Sequence, residues 1–328
     1  MKALVTGATG LIGSSIVREL LKDGVEVRAM VREKSDTRNI DGLAIERVSG
    51  DIRDAESMGR ALKGIEVFYQ AAALYTMDSP EKLYYDINVE GTKTALTAAL
   101  KQGTPKVVYT SSIAAIGCTG TTPANEGTEW NWAHLGLPYV TTKYLGEQAA
   151  LEFCKQGLPV VVVNPAGVIG VRDIKPTPTG QIILNVLNRK YPGYPDGGNN
   201  FVDVEDVARG HVLAAQKGRT GERYILGNTN MTFKDFFKLV AEVAGTRPLT
   251  MRLPAGLMIT LGYTYQAISA ITRKPPLLKP NSARFACETA FYNPSKAVNE
   301  LGMPQTPLRT TVEKAVNWFR ENGYVKAK

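Results

Sequence analysis

The chain has 328 residues, 44% of them hydrophobic, and a formal net charge of +8, enough length for one large α/β domain or a domain with a smaller lobe, and for a substantial core without disulfides. Cys118, Cys154 and Cys287 are odd in number and unclustered, and His134 and His211 are the only histidines, so neither a disulfide framework nor a metal site is expected. The basic balance suits anionic ligands or surfaces without choosing among them, but no basic run with interleaved aromatics points to nucleic acid.

The first element is the most informative. An apolar run, Ala3, Leu4 and Val5, passes through Gly7, Gly10 and Gly13 into a helical pattern of Leu11, Ile12, Ile16, Val17 and Leu20. This reads as strand, tight turn, helix. Glycine is needed where φ is positive or where the backbone must approach a ligand closely. The helix that follows offers free N–H groups and the positive end of its dipole to an anion. A second strand at Glu26-Val27-Arg28-Ala29-Met30-Val31 completes the context for dinucleotide binding. The chain enters strand 1 directly, so no signal peptide is expected and the cytoplasm is the default location.

Further strands are predicted at 44–48, 66–70, 106–110 and 159–164, and helices at 11–23, 55–62, 80–101 and 138–156. Alternation of this kind predicts a doubly wound α/β fold, a parallel sheet with helices on both faces. Val160 to Val163 form an unbroken apolar run, as a strand buried on both sides requires. Residues 1–165 are therefore expected to form the dinucleotide-binding core, with some later segments returning to the sheet, and 166–328 mainly a smaller substrate lobe over the carboxyl edge of the sheet. In that second half, helices are predicted around Ile182 to Leu187, at 232–244, and from Pro307, with Thr306 as N-cap and Gly323 past the end.

Tyr139 and Lys143, four residues apart near the start of a predicted helix, share one face. A neighbouring ammonium favours the phenolate and brings the hydroxyl towards acid/base duty near neutral pH. Tyr292/Lys296 and Tyr324/Lys328 repeat the spacing, but the first contains Pro294 and the second sits at the terminus. The strand Val107-Val108-Tyr109-Thr110-Ser111-Ser112 ends in hydroxyl residues at the edge where a cofactor would lie. Ser112 is placed to hydrogen-bond a substrate carbonyl while Tyr139 donates a proton to it.

Six motifs in order carry a family resemblance: Thr6-Gly7-Ala8-Thr9-Gly10-Leu11-Ile12-Gly13, Gly50-Asp51-Ile52-Arg53-Asp54, Asn88-Val89-Glu90-Gly91-Thr92, Ser111-Ser112, Tyr139-x-x-x-Lys143, and Asn164-Pro165-Ala166-Gly167-Val168-Ile169-Gly170. The chain resembles an extended short-chain dehydrogenase/reductase of the epimerase/dehydratase type. The resemblance implies a Rossmann fold, with Thr9 in the glycine turn, Asp51 and Ile52 flanking the adenine, Ala71 and Ala72 lining the cofactor path, and Asn164 to Val168 against the nicotinamide. It implies a structural role for Asn88. Where NAD-binding members usually place an acid after the second strand, this chain has Val31-Arg32, and an arginine suits the 2′-phosphate of NADP. Lys34, Ser35 and Arg38 are placed to assist. This is similar to dihydroflavonol reductases and related ketone or aldehyde reductases.

The expected activity is NADP(H)-dependent interconversion of a ketone or aldehyde with its alcohol, with Ser112, Tyr139 and Lys143 as the chemical groups. A second reading is a sugar epimerase/dehydratase. Asp173 to Gly180 and Phe201 to Ala208 are similar to hopanoid-associated sugar epimerases, although those often have histidine where this chain has Asp203. A third is a cofactor-binding redox sensor without catalysis, against which the Tyr/Lys pair argues. Substrate lining is expected from 74–80, 113–137 and 168–200. The oligomeric state is open, with helix-mediated homodimers common in relatives. Leu253 to Thr272 are twenty residues without a formal charge, flanked by Arg247, Arg252, Arg273 and Lys274. They are expected to form a helix with Leu257, Leu261, Tyr265 and Ile268 on one face. Two readings stand: packing on the lobe's core, or weak contact with an anionic membrane surface.

Overall fold

Residues 1–76, 79–273, 276 and 278–325 are described by the structure, a computed structural model; Lys274, Lys328 and residues 77 and 78 of the 74–80 segment lie outside the described residues. The first half alternates as its pattern predicts. It runs β1 (Lys2–Thr6), α1 (Leu11–Lys22), β2 (Glu26–Val31), β3 (Glu46–Ser49), α2 (Ala55–Leu62) and β4 (Val67–Gln70). A helical segment follows, α3 (Glu81–Tyr84) and α4 (Thr92–Lys101) joined through π-helical turns over Tyr85–Gly91. Then come β5 (Lys106–Thr110), α5 (Pro138–Lys155) and β6 (Val160–Pro165).

The second half contributes β7 (Gly167–Ile169), α6 (Pro178–Leu187), β8 (Tyr194–Pro195), β9 (Gly198–Asp203), α7 (Val204–Lys217) and β10 (Arg223–Leu226). It continues with β11 (Thr229–Thr232), α8 (Phe233–Ala244), β12 (Arg252–Leu253), α9 (Ala255–Thr272), α10 (Pro280–Cys287), β13 (Thr289–Ala290) and α11 (Leu308–Glu321).

Seven parallel strands form the central sheet in the order β10-β6-β5-β4-β1-β2-β3. Strand order reverses between β1 and β4, and a crevice opens there at the carboxyl ends of the strands. Alternate side chains feed two cores. Val5, Val161 and Val163 pack with Ile16 of α1 and Val207 of α7. Leu4, Val160 and Val162 pack with Met58 of α2 and Leu96 of α4 on the other face. Both faces of β6 are thus buried, which is why its valines run without alternation.

The seventh strand, β10, is absent from the sequence-based set. It returns from the second half, so α7 and β10 belong to the sheet layer rather than to the lobe. The lobe itself builds on β11-β9-β13, with β7 beside β9, and on α6, α8 and α11. Phe201 stacks on Phe236 at a centroid separation of 4.0 Å in its core. The last helix starts one residue later than its caps predict: Pro307 is the N-cap, because the Thr306 hydroxyl is drawn to Asp206 at 2.8 Å.

The expectation that 253–272 packs on the lobe's core is corrected. α9 joins none of the four core clusters, and its packing partner is α10. Only Met258 and Gly262 are buried along it. Among the described residues no helix is long and apolar enough to cross a membrane.

Candidate active site

The turn between β1 and α1 needs each of its glycines for a different reason. Gly7 has φ +66°, a left-handed conformation, and a Cβ there would sit 2.6 Å from the Ala71 carbonyl oxygen. A Cβ on Gly13 would lie 2.1 Å from the Gly7 carbonyl oxygen, so α1 can press against the turn only without a side chain. Gly10 is exposed, and the nearest atom to a Cβ there is the Gly7 oxygen at 3.3 Å. Gly10 is also the N-cap of α1 and supplies no side-chain cap, so the first N–H groups of that helix remain for an anion. The cradle therefore fits a pyrophosphate: two glycines close the turn and the middle one leaves the approach open.

Seventeen of the eighteen residues expected to bind or react line one cleft of about 1060 Å³ at the switch point. They are Gly7, Thr9, Gly10, Leu11, Ile12, Gly13, Arg32, Asp51, Ile52, Ala71, Ala72, Ser112, Tyr139, Lys143, Pro165, Gly167 and Val168. Asn164 is the exception. It is fully buried behind the lining, and its Nδ2 donates to the Ser112 carbonyl at 3.0 Å and to Glu147 Oε2 at 2.6 Å. It holds the Ser112 backbone rather than facing the cofactor path.

At one end of the cleft, Arg32 is exposed beyond β2 and, among the described residues, its guanidinium makes no hydrogen bond or ion pair. Two of the neighbouring cations are already engaged. Arg53 pairs with Asp51 at 2.8 Å, and Arg38 with Asp36 at 2.7 Å, so Arg38 is not free to assist as expected. Arg53 and, less strongly, Arg32 keep the Asp51 carboxyl below the usual carboxylate range.

At the other end, α5 presents Tyr139, Lys143 and Glu147 at successive turns. The Tyr139 phenol is hydrogen-bonded with Ser112, and its ring lies 4.8 Å from that of Tyr75. Burial holds the phenol well above its ordinary pKa, with the Ser112 bond acting in the opposite direction. This reverses the expected shift towards phenolate, since desolvation outweighs a nearby cation that has its own partner. Lys143 Nζ donates to the Thr110 carbonyl at 2.8 Å and lies 5.5 Å from the centre of the Tyr109 ring. Its burial pushes the ammonium down to about 8, partly offset by Glu147. Glu147, fully buried, accepts from Arg223 Nη1 of β10 at 3.1 Å.

His211 is likewise a core residue. Its Nδ1–H donates to the Val207 carbonyl at 2.7 Å, so Nε2 accepts from the Thr110 hydroxyl at 3.0 Å. Asn88 clamps the loop after β4, bonding the Leu74 N–H at 2.7 Å and the Thr142 hydroxyl at 3.2 Å. Asp203 caps α7 through the Glu205 N–H at 2.8 Å and accepts from Thr311 at 3.0 Å, away from the cleft. Among the described residues no group of three or more His, Cys, Asp or Glu side chains is arranged to hold a metal.

Asn39 was not singled out from the sequence as a lining residue, and Asp173 only as part of a resembling stretch and of the expected 168–200 lining. Asn39 donates to the carbonyls of Thr9 and Arg172, both at 3.1 Å, and so ties the glycine turn to the loop after β7. Asp173 accepts from the Thr177 N–H at 2.9 Å; burial raises its carboxyl to about 6. Pro276, Leu278, Ser282 and Phe285 reach the cleft from the α9–α10 connection and α10, outside the expected segments. Glu147 alone carried a readable signal, being four residues past Lys143 on the same helical face.

Comparison with known proteins agrees with this geometry. Residues 3–227 match the model of the NAD dependent epimerase/dehydratase family. A putative dihydroflavonol 4-reductase from Synechocystis is 38% identical, covering 98% of this chain and 95% of that protein. Sterol demethylase protein B from Methylococcus capsulatus is 33% identical over 99% of this chain and 100% of its own length. The crystal structure of gox2253 superposes with a TM-score of 0.89 and 37% identity, covering 99% of both chains. With the family model spanning well over half of its length and full-length relatives above 30% identity, the chain belongs to the NAD dependent epimerase/dehydratase family, as an enzyme of the extended short-chain dehydrogenase/reductase type.

Proposed function

We propose that this enzyme reduces an apolar ketone or aldehyde with NADPH, or oxidises the corresponding alcohol with NADP⁺. The observation that carries the reading is the convergence of the Ser112 and Tyr139 hydroxyls in the same cleft as the glycine turn. Bound in that cleft, the nicotinamide supplies the hydride to the carbonyl carbon, or accepts it in the reverse direction. Ser112 donates a hydrogen bond to the carbonyl oxygen and polarises it. Tyr139, protonated because it is buried, gives its proton to that oxygen as charge develops. Lys143, one turn along α5, is the cation available to favour the resulting phenolate, and the proton is then restored from solvent. Asn164 and Glu147 keep the Ser112 backbone in place.

Arg32 favours the phosphorylated cofactor, since a guanidinium at the end of β2 with no hydrogen-bond or ion-pair partner among the described residues suits a 2′-phosphate. The substrate side of the cleft is walled by Ile113, Ala114, Trp132 and Phe285, which favours an apolar carbonyl over a nucleotide sugar with its diphosphate. The names of the reductase and sterol relatives point the same way. The test is spectrophotometric oxidation of NADPH against a panel of apolar ketones and aldehydes, with nucleotide sugars in parallel. Turnover of the carbonyls and none of the sugars is expected; epimerisation of a nucleotide sugar with no net cofactor consumption would overturn the reading.

A further inference from the structure

The hairpin of α9 and α10 supplies no acid/base group, and beyond the wall that Phe285 of α10 gives the cleft it borders the cleft's mouth. Leu257, Ile268 and Ile271 stand outward along one side of α9, at helical spacings of eleven and three. They are 48%, 47% and 84% exposed, beside Tyr263 at 52%. No charged residue interrupts α9. Along the sequence around it the charge has a single sign. From residue 243 to 287 the chain contains Arg247, Arg252, Arg273, Lys274, Lys279 and Arg284 and no Asp or Glu. Arg252 is paired with Asp196 at 2.6 Å, and Arg284 is bonded to the Tyr263 hydroxyl at 3.0 Å. Arg273 ends α9 in a left-handed conformation with φ +56° and is exposed.

We propose that the α9–α10 hairpin docks on an anionic lipid surface, lying in its interface beside the mouth of the cleft. An uncharged helix rimmed by cations matches apolar burial into the acyl boundary together with attraction to anionic headgroups. A second copy of this chain is the less fitting occupant, because a symmetric α9 contact would bring Arg273 and the other cations of two predominantly basic rims together, and Asp196 is already paired with Arg252. α9 lies on the surface rather than across it, being too polar to span. The connection residues Pro276 and Leu278, which line the cleft, then sit where an apolar substrate would leave the lipid. That consequence, though not the docking itself, rests on the substrate class proposed above.

The test is flotation of the full chain with phosphatidylcholine vesicles, with and without phosphatidylglycerol, at low and high salt. Binding is expected only with the anionic vesicles and is expected to weaken in high salt. Arg273→Gln should lower the partition about fivefold, and Ile268→Asp with Ile271→Asp about a hundredfold. Equal partition into both vesicle types, or unchanged binding in the double variant, would overturn the proposal. So would a concentration-dependent dimer of the lipid-free protein that the double variant abolishes. Calorimetric NADPH binding, measured on the same samples, confirms that each variant is folded. Failure of the parent protein to bind anionic vesicles while it still binds cofactor refutes the docking alone, whereas vesicle binding without NADPH binding refutes the cofactor reading alone.

Discussion

α5 and α9 are both eighteen residues long, and they were given opposite places in the molecule. α5 carries Lys143 and Glu147, charged side chains that ordinarily stay in water, and buries both. α9 carries no charge and leaves most of its apolar side chains exposed. Hydrophobicity alone would have exchanged them. The inner face of α5 is buried because each of its two buried charges meets a partner from the sheet: Thr110 from β5 for the lysine, Arg223 from β10 and Asn164 from β6 for the glutamate. Among the described residues α9 packs chiefly on α10, and Leu257, Ile268 and Ile271 on its outer side stay exposed. Burial here follows the network that can pay for desolvation, not the count of apolar residues.

The comparison breaks first at Glu147. Glu147→Ala strips Arg223 and Lys143 of a buried counter-charge, and breaking such a pair costs about 3–5 kcal/mol. Chemical denaturation should show that loss, whereas replacement by Gln, which keeps the bond to Asn164 in reach, should cost less. An alanine variant as stable as the parent would show that α5 is not held by its charges.

His211 gives the same network a pH signature. Burial lowers its imidazole to about 4, against 6.5 for an unperturbed histidine. The unfolded chain therefore binds the proton more readily between those values. Stability is fully present above pH 6.5 and falls as the pH drops towards 4, by up to about 3 kcal/mol. Asp173, raised to about 6, works in the opposite sense over a similar range, so the two must be separated by mutation. In His211→Gln the decline between pH 6.5 and 4 should flatten in thermal melts, and an unchanged slope would remove His211 as its source.

Tyr139→Phe keeps the ring beside Tyr75 and removes the proton donor. Cofactor affinity should survive while the reduction rate falls by roughly 10²-fold or more. Steady-state rates and calorimetry on one preparation read both quantities. Retained turnover on a confirmed substrate would overturn the acid/base assignment. Arg32→Asp, at the other end of the cleft, should shift cofactor preference from NADPH towards NADH by about tenfold or more, because a like charge then faces the 2′-phosphate. Calorimetric titration with each cofactor decides it.

The glycine turn, the strands it joins and the Tyr139/Lys143 pair are local features, and they were legible because each is written within a few consecutive residues. β10 was not, since Arg223 to Leu226 make a strand only by pairing with β6 some sixty residues earlier. Asn39 and Asp173 line the cleft through bonds to distant or turn backbone that no periodicity encodes. The Asn164 position was legible as a motif but not in orientation: a strand alternates its faces, and this one turns its side chain to Glu147. Tyr139 was legible as a residue and not in its titration, because burial by the loop after β4 is a tertiary property. α9 was legible as a helix without a charge. Where it packs depended on how the lobe closes around Phe201, Phe236 and Phe319, and those side chains fill the core without it.

The smallest effect tests the other half of the comparison. Ile271 is 84% exposed, so Ile271→Gln removes little that is buried and should change stability by less than about 0.5 kcal/mol. Met258, on the opposite side of α9, is buried against the hairpin, and Met258→Ala should cost about 2 kcal/mol by leaving a cavity. Thermal melts of the two variants in lipid-free buffer therefore separate an inner, packed side from an outer, uncovered one. If Ile271→Gln lowers the melting temperature as far as Met258→Ala does, the outer side is already covered in solution by another copy of the chain. A protein-covered α9 would then resemble α5 in being a buried helix, with its partner supplied from outside the chain. If only Met258→Ala matters, the outer side is free for a surface that the lipid-free sample does not contain.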